Sequence, residues 1–311
     1  MRTVFFGTPE IAVPALAALA ESTNLVTVYC QPDRPAGRGM RLIEPPIKKK
    51  ALELGLRVQQ PVKVRDGRLA TELRELQVDY ALVLAYGRIL PQDVLDAPRL
   101  GCLNLHASLL PAYRGAAPIN WAIINGERET GISLMQMDEG MDTGPVFLKR
   151  RLSIREDQNA GELAAELSEL AASMVREDLP KVPAGEATCT PQNAALATLA
   201  PPIRAEHTGI DFSKPVRQII NQVRGLFPKP AATTQAGKKR LKLVRVSAGP
   251  ADLGAGHAPG TIVRADKGGL FVRCGEGCLK IDIAQLEGKK ALPARDLVNG
   301  RALVEGMVLG S

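Results

Sequence analysis

Residues 79–105 read DYALVLAYGRILPQDVLDAPRLGCLNL, two apolar runs joined by a polar, proline-containing connection. Such short apolar runs are typical of strands that are covered on both faces of a sheet. Runs of this kind predict strands at 4–6, 25–29, 79–84 and 101–105. Amphipathic stretches predict helices at 9–20 and 47–54. Because strands that alternate with helices indicate parallel βαβ units, the sequence predicts an α/β fold with a Rossmann-like parallel sheet.

The rest of the chain has weaker patterns. Residues 159–178 predict a helix with one apolar face, and Asn159 followed by Glu162 suits its first turn. A following stretch rich in Pro, Ala and Thr predicts a linker, and short apolar runs with Gly turns then predict a small, OB-like C-terminal β-barrel. The expected organisation is an α/β domain at 1–188, a linker at 189–206 and a basic β-barrel domain at 207–311.

Composition excludes several classes of protein. The 311 residues are 45% apolar and 23% charged, which is typical of a globular protein and excludes a disordered or collagen-like chain. We expect no membrane-spanning helix, because no run of about 18 apolar residues occurs. The N-terminus leads into a predicted strand without a secretory signal, so we expect a cytoplasmic protein. The motifs G-x-G-x-x-G and G-x-x-x-x-G-K-[ST] are absent where NAD or ATP would need them.

The five cysteines argue against a disulfide framework, because an odd number scattered over a chain of this size cannot pair completely. Cys274 and Cys278 are the only close pair. A zinc site would need two further ligands, and only His257 lies within reach in sequence. We therefore expect a Gly-rich turn between two strands here, and no metal.

Positive charge is concentrated toward the C-terminus. Residues 207–311 hold 17 Lys and Arg against 8 Asp and Glu, a net charge of +9, whereas residues 1–206 hold 23 against 25, a net charge of −2. Between Asp211 and Asp252 there are nine basic residues and no acidic one. Such one-sided charge is the pattern expected for a polyanion partner, although a solvated surface would give the same count.

Polar residues that suit acyl transfer occur at the end of the strand predicted at 101–105. Asn104 and His106 are two positions apart, so in an extended strand their side chains point to the same side. Farther along, two glycines mark tight turns around Asp142. An amide can stabilise an oxyanion, an imidazole can move protons or stabilise that oxyanion, and a carboxylate can orient the imidazole and favour its charged form. The alternative is a capping Asn, a core His and a turn Asp.

Direct transfer is favoured over a covalent enzyme intermediate, because no Ser or Cys has the G-x-S-x-G context of a nucleophile elbow. Several segments resemble the folate-dependent formyltransferase family. The main match is Asn104-x-His106-x-Ser108-Leu109-Leu110-Pro111 together with Asp142-x-Gly144-Pro145. Segments similar to the family members that act on methionyl initiator tRNA are 6–9, 31–39, 85–91 and 113–119.

The resemblance implies a formyltransferase domain followed by a tRNA-binding domain, acting as a monomer. It implies that the formyl group of 10-formyltetrahydrofolate, a co-substrate, passes directly to the α-amino group of methionyl initiator tRNA. It implies catalytic roles for Asn104, His106 and Asp142. The residues implied at the folate site are Arg88, Ile89, Leu90, Ser108, Leu109, Leu110, Pro111 and Asp138. Those implied at the tRNA are Arg34, Arg38, Arg41, Arg114, Lys238, Lys239, Arg240 and Lys242.

Other interpretations stay open at this point. Ile89 and Leu90 could be plain core residues, and the loop around Arg38 could be an exposed turn without a partner. A sugar-nucleotide N-formyltransferase would use the same folate site, but it would not explain the basic C-terminal part. An RNA-binding protein with an inactive formyltransferase-like domain would explain the charge, but not the presence of all three polar residues that suit acyl transfer.

Overall fold

The computed structural model describes residues 1–36 and 41–310, which form two compact units. The first unit comprises Met1–Pro118, Glu129–Ser153 and Ala164–Pro201. The second comprises Ile119–Arg128, Ile154–Leu163 and the described residues from Pro202 onward. Two short segments of the first half therefore group with the C-terminal part. The division at 188 and 206 into two domains and a linker stays a prediction.

The first unit is built on a mostly parallel sheet. The strands of this unit are β1 (Arg2–Gly7), β2 (Asn24–Tyr29), β3 (Arg34–Ala36), β4 (Arg41–Ile43), β5 (Val58–Gln59), β6 (Tyr80–Leu84), β7 (Cys102–His106), β8 (Glu129–Gln136) and β9 (Val146–Ser153). The sheet has the order β5-β2-β1-β6-β7-β8-β9, while β3 and β4 form a separate hairpin. From β5 to β7 the neighbours are parallel, which confirms the predicted parallel sheet. The antiparallel pairing of β8 with β7 and of β9 with β8 was not predicted.

The helices of residues 1–180 lie between or after these strands, and residues 119–124 and 160–163 belong to the second unit. These helices are α1 (Val13–Ser22), α2 (Pro46–Glu53), α3 (Arg68–Glu75), α4 (Gln92–Leu95), α5 (Pro118–Ile124) and α6 (Ala160–Glu177). The helices predicted at 9–20, 47–54 and 159–178 correspond to α1, α2 and α6. One part of the core surrounds Phe6, whose ring stacks on Tyr29 with the centroids 4.6 Å apart. Among the described helices, none combines the length and apolar character needed to cross a membrane.

Helix α6 begins with the signal expected from the sequence. Asn159 Oδ1 accepts hydrogen bonds from the backbone N–H groups of Gly161 and Glu162 at 2.9 and 3.0 Å. In return, Glu162 Oε2 accepts from the N–H of Asn159 at 3.0 Å. This reciprocal arrangement satisfies N–H groups that a helix start leaves without a partner, and a cap of this kind contributes about 1 kcal/mol.

The second unit contains an antiparallel sheet that closes on itself. Its strands are β10 (Ala232–Ala236), β11 (Lys239–Ala248), β12 (Ile262–Asp266), β13 (Gly269–Arg273), β14 (Cys278–Leu286) and β15 (Leu292–Pro293). The order is β10-β11-β14-β13-β12, with β15 on β14. Leu309 bridges Ala236 of β10, and Val308 bridges Thr261 beside β12, so the C-terminal residues join the two edges of the sheet. This closure confirms the predicted small β-barrel.

The turn between β13 and β14 contains the close cysteine pair. Cys274 and Cys278 are fully buried free thiols, and both sulfurs lie within hydrogen-bonding range of the backbone oxygen of Val272. The predicted Gly-rich turn is therefore confirmed. Among the residues that the structure describes, no group of three or more His, Cys, Asp and Glu could hold a metal ion.

The second unit also contains helices α7 (Val216–Leu226) and α8 (Ala294–Asn299). On α7, Arg224 is only 8% exposed and donates hydrogen bonds to the backbone oxygens of Arg155 and Gln158 at 3.2 and 3.1 Å. Burial lowers the pKa of this guanidinium below its ordinary value. Its charge supports the backbone at 155–158 and does not face a polyanion. The sequence count of nine basic residues therefore overstates the accessible charge.

The hairpin formed by β3 and β4 is anchored at both ends by one lysine of α2. Lys48 Nζ lies 2.6 Å from Asp33 Oδ2 and 2.9 Å from Glu44 Oε1. Gln60 Nε2 donates to the other oxygen of Asp33 at 2.7 Å. Hydrogen bonds from Lys48 and Gln60 hold the pKa of Asp33 below its ordinary value. The base of the hairpin is thus held by α2 and by the residue that follows β5.

Candidate active site

Asn104 and His106 lie at the carboxyl end of β7, which is buried along its whole length and is paired with both β6 and β8. The two residues are 8% and 6% exposed, and they alternate with Leu103 and Leu105, so they share one side of the sheet. The Asn104 side chain makes no hydrogen bond to any residue in 1–36 or 41–310. Its amide therefore remains available to a ligand.

Both ring nitrogens of His106 face oxygen atoms. Nε2 is 3.0 Å from the backbone oxygen of Tyr113, and Nδ1 is 3.6 Å from Asp142 Oδ2. Because a carbonyl oxygen only accepts hydrogen bonds, Nε2 must carry a hydrogen to bond there. A doubly protonated ring has an acceptor on each side, whereas the neutral ring presents its bare nitrogen to Asp142. The backbone oxygen of Tyr113 thus orients the His106 ring through Nε2, and Nδ1 is the nitrogen that can gain or lose a proton.

The loop between β8 and β9 fixes the carboxylate of Asp142. This residue has a φ of +56°, in the left-handed region that residues other than glycine rarely adopt. Its Oδ2 accepts a hydrogen bond from the N–H of Gly115 at 2.8 Å. Asp138, which is exposed, accepts from Thr143 Oγ1 at 2.7 Å within the same loop. At Gly144 a side chain would overlap the backbone oxygen of Gln136, so this glycine allows the loop to lie close to the end of β8.

The loop after β7 is held by hydroxyl groups. Ser133 Oγ on β8 donates to the backbone oxygen of Ser108 at 2.7 Å and accepts from the N–H of Leu110 at 3.0 Å. Ser108 Oγ donates to the backbone oxygen four residues later at 2.6 Å. Ser108 and Leu110 are buried, whereas Leu109 and Pro111 are half-buried. The first two residues therefore shape the loop, and the last two are accessible to a ligand.

The predicted folate residues after β6 differ in exposure. Arg88 is half-buried and donates to Gln31 Oε1 at 3.0 Å and to the backbone oxygen of Val62. Ile89 is 64% exposed, so core packing does not explain it. Leu90 is 3% exposed and belongs to the core. The end of β6 therefore presents one apolar side chain to solvent beside a fixed arginine.

The thiol and the hydroxyl nearest to these residues in sequence are not activated as nucleophiles. Cys102, two residues before Asn104, is fully buried, and burial raises its pKa to about 12. The thiol is therefore protonated at neutral pH. The Ser108 hydroxyl donates to a backbone oxygen rather than to a base. Both observations agree with a reaction that has no covalent enzyme intermediate.

A segment predicted as part of a linker contacts both site loops. We call residues 190–200 the strap. Arg114 N–H donates to the backbone oxygen of Thr198, and Tyr113 N–H donates to the hydroxyl of the same threonine, both at 2.8 Å. Gln192 Nε2 reaches the backbone oxygen of Asp142 at 2.8 Å. The sequence offered no signal for these contacts, because the strap has neither helical nor strand periodicity.

The arginines predicted for tRNA in the first unit lie in two places. Arg34 is exposed at the start of β3, and Arg41 begins β4, where it pairs with Ala36. Arg38 and the side chain of Arg41 lie outside the described residues. Arg114 is half-buried and donates to Gln192 Oε1 through Nε and Nη2 at 3.1 and 2.8 Å.

The basic residues predicted for tRNA in the second unit lie around the turn between β10 and β11. Lys238, Lys239 and Arg240 are exposed, and Lys242 is half-buried. On β11, Leu241 and Leu243 point into the core, so the basic residues that alternate with them face outward. None of the four forms an ion pair with another residue of the described ranges. Their charges are therefore available to an anionic partner.

Residues 1–179 match the family described as formyl transferase, and residues 202–302 match the family described as formyl transferase, C-terminal domain. A methionyl-tRNA formyltransferase of Sorangium cellulosum is 54% identical over 311 residues, which cover 100% of both chains. That of Geobacter metallireducens is 46% identical over 311 residues, covering 100% of this chain and 99% of the relative. The chain belongs to the methionyl-tRNA formyltransferase family.

Membership of the methionyl-tRNA formyltransferase family makes the chain a transferase and confirms the resemblance predicted from its motifs. A solved N-formyltransferase from Helicobacter canadensis, in complex with folinic acid and dTDP-3-aminofucose, has the same fold. Its TM-score is 0.68 at 18% identity, over 90% of this chain and 98% of that chain. At that identity the likeness concerns the fold alone.

Proposed function

We propose that this enzyme transfers the formyl group of 10-formyltetrahydrofolate to the α-amino group of methionine on initiator tRNA. The observation that supports the proposal most directly is the contact of His106 with Asp142, whose Nδ1 and Oδ2 atoms are 3.6 Å apart. Two residues before His106 on β7, the side-chain amide of Asn104 has no hydrogen-bond partner in the described ranges. The family of the chain, with relatives 54% and 46% identical over its full length, supports the same reaction.

The proposed reaction is an acyl transfer between two nitrogen atoms. The neutral amine attacks the formyl carbon, and the carbonyl oxygen becomes negative. The attacking nitrogen then loses a proton, N10 of the folate gains one, and the bond between the formyl carbon and N10 breaks. The products are formylmethionyl-tRNA and tetrahydrofolate. An enzyme assists such a reaction with a donor for the oxyanion and a group that carries the proton.

The three polar residues suit these two tasks. Asn104 donates an amide N–H to the developing oxyanion, a contact that is typically worth about 10²–10³ in rate. In this proposal His106 carries the proton, and the ring is held with Nε2 3.0 Å from the backbone oxygen of Tyr113 and Nδ1 3.6 Å from Asp142 Oδ2. Asp142 orients the ring, and Gly115 in turn fixes this carboxylate.

The folate site that we propose lies at the carboxyl ends of β6 and β7, where ligands of α/β sheets bind. Exposed Ile89 and half-buried Leu109 and Pro111 supply apolar walls for the flat pterin ring. Arg88 borders the site, with its side chain fixed on neighbouring oxygens. The other residues predicted at the folate site are buried or bonded within their own loop, so we propose that they support these walls without contacting the pterin. They are Leu90, Ser108, Leu110 and Asp138.

The tRNA contacts that we propose are mainly electrostatic. Lys238, Lys239, Arg240 and Lys242 neutralise backbone phosphates, which releases counterions and makes binding depend on salt. Arg34, Arg38, Arg41 and Arg114 face the acceptor end in this proposal. Phosphate contacts position an RNA without reading its sequence. We propose that the enzyme acts as a monomer in the cytoplasm, where initiator tRNA is charged.

An amino-sugar nucleotide is the second candidate acceptor, because the Helicobacter canadensis N-formyltransferase of the same fold contains one. The net charge of +9 on residues 207–311 favours the tRNA, since a sugar nucleotide offers only a diphosphate for so many cations.

A formylation assay tests both parts of the proposal. With 10-formyltetrahydrofolate present, we expect turnover of charged initiator tRNA and none of an amino-sugar nucleotide at equal concentration. His106→Ala and Asp142→Ala should each lower kcat by about 10²–10⁴. His257→Ala is the matched control, because that histidine is exposed in the second unit. Turnover of both site variants within twofold of wild type would contradict the catalytic roles, and faster turnover of the sugar nucleotide would contradict the acceptor.

A further inference from the structure

One side chain of the strap uses its whole hydrogen-bonding capacity at the candidate active site. Gln192 Nε2 donates to the backbone oxygens of Asp142 and Gly144 at 2.8 and 2.7 Å. Gln192 Oε1 accepts from Nε and Nη2 of Arg114 at 3.1 and 2.8 Å. The amide therefore joins the loop that carries Asp142 to the loop that follows β7.

Both loops that Gln192 joins have backbone geometry that needs external support. Asp142 has a φ of +56°, and Tyr113, whose oxygen faces His106, has a φ of +60°. Left-handed conformations are strained at residues other than glycine and persist where the surroundings enforce them. Gln192 holds the backbone of Asp142 from one side, and Thr198 of the same strap holds Tyr113.

We propose that Gln192 is a positioning residue that sets the carboxylate of Asp142 against His106. Its amide bonds to the backbone on both sides of the turn and so fixes the direction in which the Asp142 side chain leaves the loop. The carboxylate then meets Gly115 N–H at 2.8 Å and the imidazole at 3.6 Å. The inference rests on the proposed function because formylation is the assay. It concerns the position of the Asp142 carboxylate and not the identity of the acceptor.

The pattern of donors and acceptors at this position requires an amide. Two backbone oxygens need two N–H donors, and the guanidinium of Arg114 needs an acceptor. A glutamate of the same shape keeps the contact with Arg114 but turns an oxygen toward the oxygens of Asp142 and Gly144. Gln192→Glu therefore removes the restraint on the Asp142 loop while it preserves side-chain volume, and it is the informative substitution.

The experiment is a double-mutant cycle measured by steady-state formylation of methionyl-tRNA. The four enzymes are wild type, Gln192→Glu, Asp142→Asn and the double variant. We expect Gln192→Glu to lower kcat by about 10²-fold in the wild-type background, because misplacement of a reacting group by about 1 Å has that effect. We expect the KM for 10-formyltetrahydrofolate to stay within about threefold, since the hydrogen bonds of Gln192 go to Asp142, Gly144 and Arg114, and none of these three is a proposed folate residue.

The interaction between the two substitutions decides the case. If Gln192 acts through Asp142, Gln192→Glu should cost less than about threefold once Asp142 has lost its charge. An equal loss in both backgrounds would show a general structural role and would overturn the inference. So would an unchanged kcat in the wild-type background.

Asn193→Asp is the matched control, because it makes the same amide-to-carboxylate change one residue away. The Asn193 side chain is exposed and, within the described part of the chain, accepts a hydrogen bond only from the N–H of Ala195, a bond that aspartate retains. We expect its kcat to equal that of wild type. If Gln192→Glu does not fold, Gln192→Met enters the same cycle with the same expected result.

Failure of the proposed function has a separate signature. A wild-type enzyme that does not formylate methionyl-tRNA contradicts the acceptor, and the cycle is then run with the acceptor that it does use. Only the additivity of the two substitutions, or the absence of an effect of Gln192→Glu on kcat, overturns the positioning role.

Discussion

Gly115 is the position at which one added methyl group should disturb the candidate active site most. Its φ is +125°, outside the left-handed basin that other residues sometimes enter. A Cβ at this position would lie 2.7 Å from the backbone oxygen of Ala200 in the strap. Ordinary contact is near 3.4 Å, so Gly115→Ala must separate the loop from the strap by about 0.7 Å.

Two costs follow from this displacement. The backbone strain of an alanine at this φ should destabilise the fold by about 1–3 kcal/mol. The N–H of residue 115 donates to Asp142 Oδ2 at 2.8 Å, so a shift of the loop also moves the carboxylate relative to His106. A displacement of this size should lower kcat by about 30- to 100-fold.

The assay combines single-turnover formylation with thermal unfolding. Gly55→Ala is the matched control, since Gly55 has a φ of +70° and no atom within 4 Å of an added Cβ. That substitution should cost about 1–2 kcal/mol of stability, by strain alone, and leave kcat unchanged. If folded Gly115→Ala turns over within twofold of wild type, the contact between loop and strap does not position the catalytic groups.

Three further predictions concern stability and tRNA binding. Burial acts to raise the pKa of Asp178, but hydrogen bonds from Lys181 and Arg150 outweigh it and hold that pKa below its ordinary value. Asp178→Asn should therefore lower the free energy of unfolding at pH 7 by about 2–3 kcal/mol, and the difference from wild type in thermal melts should shrink as the pH falls below about 4. A difference independent of pH would contradict this origin. Lys48→Met should raise the KM for methionyl-tRNA about 5- to 10-fold with kcat retained, because it removes the ion pairs to Asp33 and Glu44 on either side of the hairpin formed by β3 and β4, where we propose that the tRNA binds. Lys50→Met, which removes only an exposed ion pair with Glu53, is its control and should leave KM unchanged. Replacement of three cations by glutamine, Lys238, Lys239 and Arg240, should lower the magnitude of the slope of log K against log salt for tRNA binding by about 2–3. An unchanged slope would show that these three side chains contact no phosphate.

The part of the site that sequence reasoning could predict depends on local periodicity. The apolar run before Asn104 identifies β7, and the spacing of two places Asn104 and His106 on one side of it. The glycines around Asp142 identify a tight turn. These features are encoded in neighbouring residues, and the structure has them where the pattern puts them, with His106 and Asp142 in contact.

The features that escaped prediction depend on partners far away in sequence. The strap bonds to backbone oxygens more than fifty residues earlier in places, and any non-periodic segment could supply such bonds. The charge of Arg224 is visible in the sequence, but its burial against the backbone of residues 155–158 is not. In β8, Thr130, Gly131 and Ser133 interrupt the apolar run, so its pairing with β7 left no clear strand pattern.

The two ion pairs that Lys48 forms with Asp33 and Glu44 have a consequence for engineering. One ammonium group pairs with the residue before β3 and with the residue after β4, so a single side chain of α2 contacts both ends of this segment. We expect that inserts of different length and composition can be exchanged between Asp33 and Glu44 while the parallel sheet keeps its strand order, because β3 and β4 are not part of that sheet. If Arg34 and Arg41 contact the tRNA as we propose, libraries grafted between residues 33 and 44 would vary acceptor choice separately from the chemistry that we propose at β7.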